Sequence, residues 1–262
     1  MLGVLGNIVA NVAFWGLLGF LFWAVSRASQ ARFLRFLAMG DSSRITVMLS
    51  NLWQADASER PIGFTISKHE LHAAQAISSF LGKAPGQLPD IVRGLVDQLW
   101  LRRRLECVVD VSLPQLESAE PTDCTVVIGG AARNSHRRHF VTKNVPAAML
   151  ENELEIGRRV RSDEVRRVII NRANGDHQIV QSEQGIAVVE KVFVPGRRYA
   201  VFFCHGARAD GSWVAAEYLV RNWRNLEREF RNEPFVVCLS FPRSDEFIEE
   251  YVEPSILARV RP

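Results

Sequence analysis

Two glycine-rich segments of this sequence could bind a phosphorylated ligand, and the first spans residues 124–134. It reads CTVVIGGAARN, so Gly129 and Gly130 directly follow an apolar run that is typical of a buried strand. Glycine allows the backbone to approach a ligand closely. The side chains after this glycine pair suit phosphate and ribose groups, since arginine donates two hydrogen bonds to one phosphate. They are Arg133, Asn134, Ser135 and Arg137.

The second segment, YAVFFCHGARADGSWVAA, spans residues 199–216. An apolar strand runs here into a polar turn that opens a helix, and the N–H groups at a helix N-terminus favour anions. The candidate ligand-binding residues of this turn are His205, Gly206, Arg208, Gly211 and Ser212. Together the two segments predict one site for a nucleotide. The alternative is that their glycines only make tight turns between strands and helices.

Known catalytic patterns are missing from the sequence. Neither glycine-rich segment has the GxGxxG pattern of dinucleotide-binding turns or the GxxxxGK[ST] pattern of phosphate loops. The chain also lacks GxSxG, HExxH and any Cys–His arrangement that spacing supports. We therefore predict no catalytic residue, no metal site and no cofactor beyond the nucleotide ligand. An enzyme acting on a nucleotide or nucleoside stays an alternative.

The composition excludes several classes of protein. The chain has 262 residues, of which 47% are hydrophobic, so it can build a sizeable core and is not disordered. Its 32 basic and 29 acidic residues leave a net charge of only +3, which argues against a DNA-binding protein. The four cysteines form no CxxC pair, and three of them lie in apolar runs, as buried thiols do in a reducing compartment.

The elements that must position the two segments alternate between strands and helices after residue 44. Strands are predicted at residues 45–50, 107–112, 124–128, 165–171, 185–193, 199–204 and 235–241, and helices at 68–81, 90–104 and 212–230. Continuous apolar strands are typical of a sheet that is covered on both faces. The predicted fold class is α/β: a Rossmann-like three-layer domain with a β-rich middle insert at about 141–198.

The N-terminal region has the pattern of a membrane anchor. Residues 1–26 carry no charged side chain, and about 20 apolar residues suffice for a helix to cross a bilayer. We predict a transmembrane helix at 1–26, an amphipathic connector at 27–43 and a cytoplasmic ligand-binding domain at 44–262. A cleaved signal peptide is the alternative to the anchor. A plain linker or a continuation of the first helix is the alternative to the connector.

The flanks of the predicted span give its orientation and its contacts. Three arginines, Arg27, Arg32 and Arg35, follow the span, so the positive-inside rule predicts an outside N-terminus and a cytoplasmic C-terminal domain. Asn7 and Asn11 lie four residues apart on one helix face. Because amides in hydrocarbon are costly unless they pair, this face predicts self-association into a homo-oligomer. The alternative places both amides at the outer headgroups.

The arrangement of the two glycine-rich turns resembles that of Rossmann-like ligand sensors of bacterial immunity, the CARF- and SLOG-type domains. The resemblance covers about residues 44–242, with a long middle segment at 141–198 that a minimal sensor lacks, and it carries over no functional residue. Such sensors bind nucleotide second messengers and often carry a fused transmembrane effector. The resemblance implies a membrane effector in antiphage defence that assembles its transmembrane helices when it senses a nucleotide. A membrane-anchored enzyme and a membrane-anchored scaffold are the alternatives.

Overall fold

A computed structural model describes the chain in ten segments. They comprise residues 2–39, 44–50, 52–55, 61–82, 106–111, 123–130, 134–151, 166–195, 199–242 and 250–262. In the first segment the side chains are described from Phe14 onward, with gaps. The helix predicted at 90–104, residue Arg133, and the side chains of Asn7, Asn11 and Ser135 lie outside the described residues.

The described segments contain four helices and twelve strands. The helices are α1 (Leu2–Leu37), α2 (Lys68–Gly82), α3 (Ser135–Thr142) and α4 (Ala209–Phe230). The first six strands are β1 (Arg44–Leu49), β2 (Leu52–Ala55), β3 (Pro61–Thr65), β4 (Glu106–Val111), β5 (Cys124–Ile128) and β6 (Ala148–Leu150). The other six are β7 (Arg166–Asn171), β8 (His177–Ser182), β9 (Gly185–Phe193), β10 (Ala200–Gly206), β11 (Phe235–Phe241) and β12 (Ser255–Val260).

Seven of the strands form a central, mostly parallel sheet in the order β12-β11-β9-β10-β5-β1-β4. Strands β4, β1, β5 and β10 run parallel to one another. Strand β9 lies antiparallel between β10 and β11, and β12 lies antiparallel to β11 at one edge. The predicted α/β class is confirmed, and the sheet is compatible with a Rossmann-like layout.

The strands predicted to form one β-rich insert are divided between two sheets. Strands β6, β7 and β8 form a separate three-stranded sheet, as a β-rich insert would. Strand β9 instead joins the central sheet, where every residue but its last is buried. Exposing a strand that is apolar on both faces to water costs more free energy than exposing one that is apolar on a single face. In the central sheet both faces of β9 are covered. The predicted insert at 141–198 is therefore correct only for its first part.

Different elements cover the two faces of the central sheet. One face packs against α2, α4 and the end of α1, in a core that includes Val47, Val126 and Phe202. On the other face, Phe140 of α3 packs against Val127, and the sheet of β6, β7 and β8 packs against β9 and β11. This double cover explains why the central strands are apolar throughout rather than alternating.

Helix α1 runs without a break from Leu2 to Leu37, so the connector predicted at 27–43 continues the same helix as far as Leu37. Its last turns are docked on the domain. Phe33 and Phe36 are at most 1% exposed, and the Phe33 ring lies 5.0 Å from that of Trp223 in α4. Nε of Arg32 donates to Oε2 of Glu227 at 3.2 Å. The end of α1 is therefore part of the domain core.

Earlier in α1 the apolar side chains face solvent. Seven of them are between 40% and 69% exposed. They are Phe14, Trp15, Leu17, Leu18, Phe20, Leu21 and Val25. At 100° per residue they project to most sides of the helix rather than along one stripe. Among the residues described with their side chains, no helix combines the length and the hydrophobicity that a membrane crossing requires.

A buried lysine lies under the docked end of α1. Lys191 of β9 is fully buried, and its ammonium group lies 5.3 Å from the centre of the Phe36 ring and donates to Oδ1 of Asn232 at 3.2 Å. Burial lowers the pKa of Lys191 to about 8, against a smaller opposing effect of Cys124. The end of α1 thus covers a cation as well as apolar side chains.

Candidate functional site

The connections that leave neighbouring strands β1, β5 and β10 run to opposite faces of the sheet. After β1 the chain leads to α2 on one face, after β5 it leads to α3 on the other face, and after β10 it leads to α4 on the face of α2. In open α/β sheets, ligands bind in crevices outside the carboxyl ends of strands where the connections diverge in this way. The turn after β5 therefore lies between two such crevices.

The two glycine-rich turns lie side by side at this edge. Strands β5 and β10 are parallel neighbours, with Ile128 opposite Cys204. The N–H of Gly129 donates to the carbonyl of Cys204 at 3.0 Å. A Cβ atom on Gly130 would lie 3.9 Å from the carbonyl oxygen of Gly206. The two turns therefore meet at one edge of the sheet.

Of the first glycine pair, Gly129 is the position that requires glycine. Its φ is +104°, and a Cβ atom there would lie 2.7 Å from Oε1 of Glu70. At Gly130, where close backbone approach is also predicted, the nearest described atom to such a Cβ is at the ordinary contact distance of 3.9 Å. Gly130 therefore accepts a small side chain, whereas Gly129 does not.

The second turn brings a helix N-terminus against the sheet. A Cβ atom on Gly206 would lie only 2.7 Å from Cα of Gly211 and from the carbonyl oxygen of Ile186. Both glycines thus allow the first turn of α4 to pack directly on the end of β10 and the start of β9. Ser212, the next predicted ligand residue, is 1% exposed inside this contact.

A shallow depression lies beside this helix N-terminus and contains two arginines. It is lined by Arg166, Gly185, Ile186, Ala207, Arg208, Asp210 and Phe241. Arg208 Nη2 lies 3.5 Å from Oδ2 of Asp210, and the Arg208 side chain is 23% exposed. Arg166 Nη1 donates to the carbonyl of Gln184 at 3.3 Å. Among the described lining residues, two guanidinium groups accompany one carboxylate, which gives them a net positive charge, and the α4 N-terminus adds to this charge.

Arg137 does not reach this depression, contrary to the prediction of a phosphate clamp. Its side chain is fully buried under the sheet, where Nη1 lies 3.5 Å from Oε2 of Glu190. Nη2 donates to the carbonyl of Ala148 at 2.7 Å, and the guanidinium lies 4.4 Å from the centre of the Phe203 ring. The arginine joins the central sheet to β6 and cannot contact a ligand without leaving the core.

His205 and Asn134 also serve the fold. His205 is fully buried, and its Nε2 lies 3.1 Å from Nη2 of Arg137; since arginine has no acceptor, Nε2 accepts this hydrogen bond. Asn134 is the N-cap of α3, where Oδ1 accepts from the N–H of Arg137 at 3.1 Å. Its Nδ2 donates to the carbonyl of Ile128 at 2.7 Å. Both side chains hold the two turns in place from within.

A polar pair that the sequence interpretation missed lies at the crevice between β1 and β5. Ser50 directly follows β1 and is fully buried, and Glu70 in the first turn of α2 is 4% exposed. The Ser50 hydroxyl donates to Oε2 of Glu70. The sequence signals of Glu70 and of Arg166, a capping box and an arginine-rich stretch, are too common to indicate a site.

Comparisons of the chain with protein families, with curated proteins and with solved structures found no match. A functional proposal therefore rests on the geometry of this sheet edge and on the sequence. Among the described residues, no group of three or more His, Cys, Asp or Glu side chains could hold a metal ion.

Proposed function

We propose that this protein is a single-pass membrane effector whose cytoplasmic domain binds a nucleotide second messenger. Ligand binding drives self-assembly of the α1 helices, in antiphage defence as the resemblance implies. The nucleotide phosphates lie in the depression at the N-terminus of α4, where Arg208 and Arg166 contact them. The Gly129–Gly130 turn forms the adjoining floor, and a Rossmann-like sheet edge supplies the crevice.

The observation that carries this proposal is that one helix connects the depression to α1. The N-terminus of α4 contributes Arg208 to the depression, and about 21 Å further along the helix Trp223 packs on Phe33 of α1. One turn later, Glu227 pairs with Arg32. Because a helix moves as a rigid rod, a ligand that shifts the N-terminus of α4 also shifts the surface on which α1 is docked.

The membrane anchor is supported by the sequence and by the surface of α1. Residues 1–26 carry no charge, and the described apolar side chains from Phe14 to Val25 face away from the domain on most sides of the helix. A helix that is apolar on all sides is stable when protein or lipid surrounds it. The proposed anchor leaves the N-terminus outside and lets Asn7 and Asn11 of neighbouring copies pair in the bilayer.

The ligand site is tested by titrating the detergent-solubilised full-length protein with pyrophosphate. Loss of one charged hydrogen bond weakens binding by about ten- to hundredfold, which we expect for Arg208→Ala and for Arg166→Gln. Arg221→Ala is the matched control, because Arg221 lies on α4 but is 53% exposed and pairs with Glu217 on the same helix. Unchanged affinity in both site variants contradicts the proposed site. Turnover of an added nucleotide instead favours the alternative of an anchored enzyme.

The full chain is used because Phe33 and Phe36 belong to the core, so a fragment starting at residue 44 lacks part of its own domain.

The proposed membrane anchor is tested separately. We expect the full-length protein to stay in the membrane pellet on carbonate extraction, with an intact N-terminus. Arginine at both Leu17 and Leu21 should release it, since each charge at mid-helix costs about 2.5 to 3.5 kcal/mol. Recovery of a soluble chain that begins near Arg27 indicates a cleaved signal peptide instead.

A further inference from the structure

A row of arginines lies on the exposed side of α4, next to the docked end of α1. Arg224, Arg228 and Arg231 are exposed, and at 100° per residue they project within about 60° of one another. The guanidinium of Arg224 lies 5.2 Å from the centre of the Trp223 ring, and the same tryptophan packs on Phe33 of α1. The row therefore borders the junction of the two helices.

The carboxylates in this part of α4 do not neutralise the row. Each glutamate in residues 217–233 forms an ion pair with some other arginine. The pairs are Glu217 with Arg221, Glu227 with Arg32, Glu229 with Arg259, and Glu233 with Arg261. In the part of the chain that the structure describes, the three arginines of the row pair with no carboxylate, so their positive charge stays at the surface.

The docked end of α1 places this row close to the proposed membrane span. Arg32 of α1 pairs with Glu227, which directly precedes Arg228, and Arg35 lies on the same face of α1 and is also exposed. From the end of the span at residue 26 to Arg32, the helix rises about 9 Å. The headgroups occupy about 5 to 8 Å of this rise, and charges interact over about 8 Å at physiological salt. When α1 crosses the bilayer, the row thus lies within reach of the headgroups.

We infer that Arg35 and the three arginines of α4 form a basic surface that binds anionic lipid headgroups of the cytoplasmic leaflet. This inference rests on the proposed membrane anchor. Anionic lipids give that leaflet a negative surface potential, and each arginine close to it strengthens binding about fivefold. Because α1 already tethers the domain, these contacts fix the orientation of α4 relative to the bilayer, and with it the depression at the N-terminus of α4.

The inference is tested by measuring how closely α4 approaches the headgroups in nanodiscs. The full-length protein carries a bimane label on Asn225→Cys, an exposed position of α4, and Cys107→Ser removes the one native cysteine that is not buried. Phosphatidylcholine with a spin label on its headgroup quenches the bimane at short range. We expect stronger quenching in discs that contain phosphatidylserine than in discs of phosphatidylcholine alone. Raising the salt from about 0.1 M to about 1 M should remove the difference, since the Debye length falls from about 10 Å to about 3 Å.

Arg224→Gln/Arg228→Gln should lower the equilibrium constant for this approach about 25-fold, because two arginines are lost. The control variant Arg167→Gln/Arg172→Gln removes the same charge from exposed positions on β7 and the turn after it. The sheet of β6, β7 and β8 packs on the face of the central sheet opposite to α1, so the control should leave the quenching unchanged.

The possible results separate the basic surface from the anchor. Equal quenching in the two lipid mixtures overturns the basic surface while the anchor stands, and so does a phosphatidylserine effect that survives in Arg224→Gln/Arg228→Gln. An equal loss in the control variant also overturns it, because net charge alone then accounts for the effect. If carbonate extracts the parent protein from the membrane, the basic surface and the proposed anchor fail together.

Discussion

Replacing Arg137 with methionine is expected to lower the free energy of unfolding by about 3 to 5 kcal/mol, the cost of leaving one partner of a buried ion pair uncompensated. Glu190 is fully buried, and its described donors include Arg137 and the N–H groups of Ala147 and Ala148. Methionine keeps most of the volume of the arginine beside Phe203 but supplies no donor. Urea denaturation of the solubilised protein measures the change.

Two further variants make this result specific. In Arg137→Met/Glu190→Gln the uncompensated charge is removed, while an amide oxygen still accepts from the backbone, so the double variant should be more stable than Arg137→Met alone. Arg167→Met removes an ion pair with Glu151 in which both side chains are about half exposed. Such pairs contribute at most about 1 kcal/mol. If Arg137→Met costs no more than Arg167→Met, the buried network does not stabilise the fold.

The second large effect is expected for Phe36→Ala, which should cost about 3 to 5 kcal/mol because a large buried side chain leaves a cavity. Phe36 is 1% exposed, and its ring lies 5.4 Å from that of Phe202 in β10 and 6.2 Å from that of Phe235 in β11. The substitution removes the contacts of this ring with both strands of the sheet. Chemical denaturation followed by tryptophan fluorescence reports the loss, since Trp223 packs nearby.

The same helix provides a control for this prediction. Phe20 of α1 is 60% exposed, so Phe20→Ala should leave the stability of the domain within about 0.5 kcal/mol of the parent. Equal effects of the two substitutions contradict the division of α1 into an exposed part and a docked part. If Phe36→Ala lowers the stability of the domain only slightly and Phe20→Ala leaves it unchanged, the core does not depend on the end of α1. In that case α4 cannot transmit a signal to α1.

Local sequence patterns predicted many of the strands and helices correctly, but they did not predict the tertiary environment of these elements. The apolar runs at β5, β10 and β11 predicted strands, and the amphipathic pattern of α4 predicted a helix, because both depend on neighbours along the chain. The helix α3 was missed, since the basic stretch that contains Arg137 has the composition of a solvated loop. In the second sheet β7 was predicted, but β6 and β8 were missed, as were the β2–β3 hairpin and the edge strand β12, because few residues carry their pattern.

The sequence by itself determined the α/β class, the apolar N-terminal run and the presence of two glycine turns at strand ends. Parallel strands then required these turns to share one edge. Only the tertiary structure decided which side chains face that edge. Arg137 turns inward because it pairs with Glu190, which lies 53 residues away in the sequence. Arg166, in contrast, reaches the depression from a strand of the second sheet. Burial and pairing depend on contacts between residues that are far apart in the sequence, so local sequence patterns do not predict them.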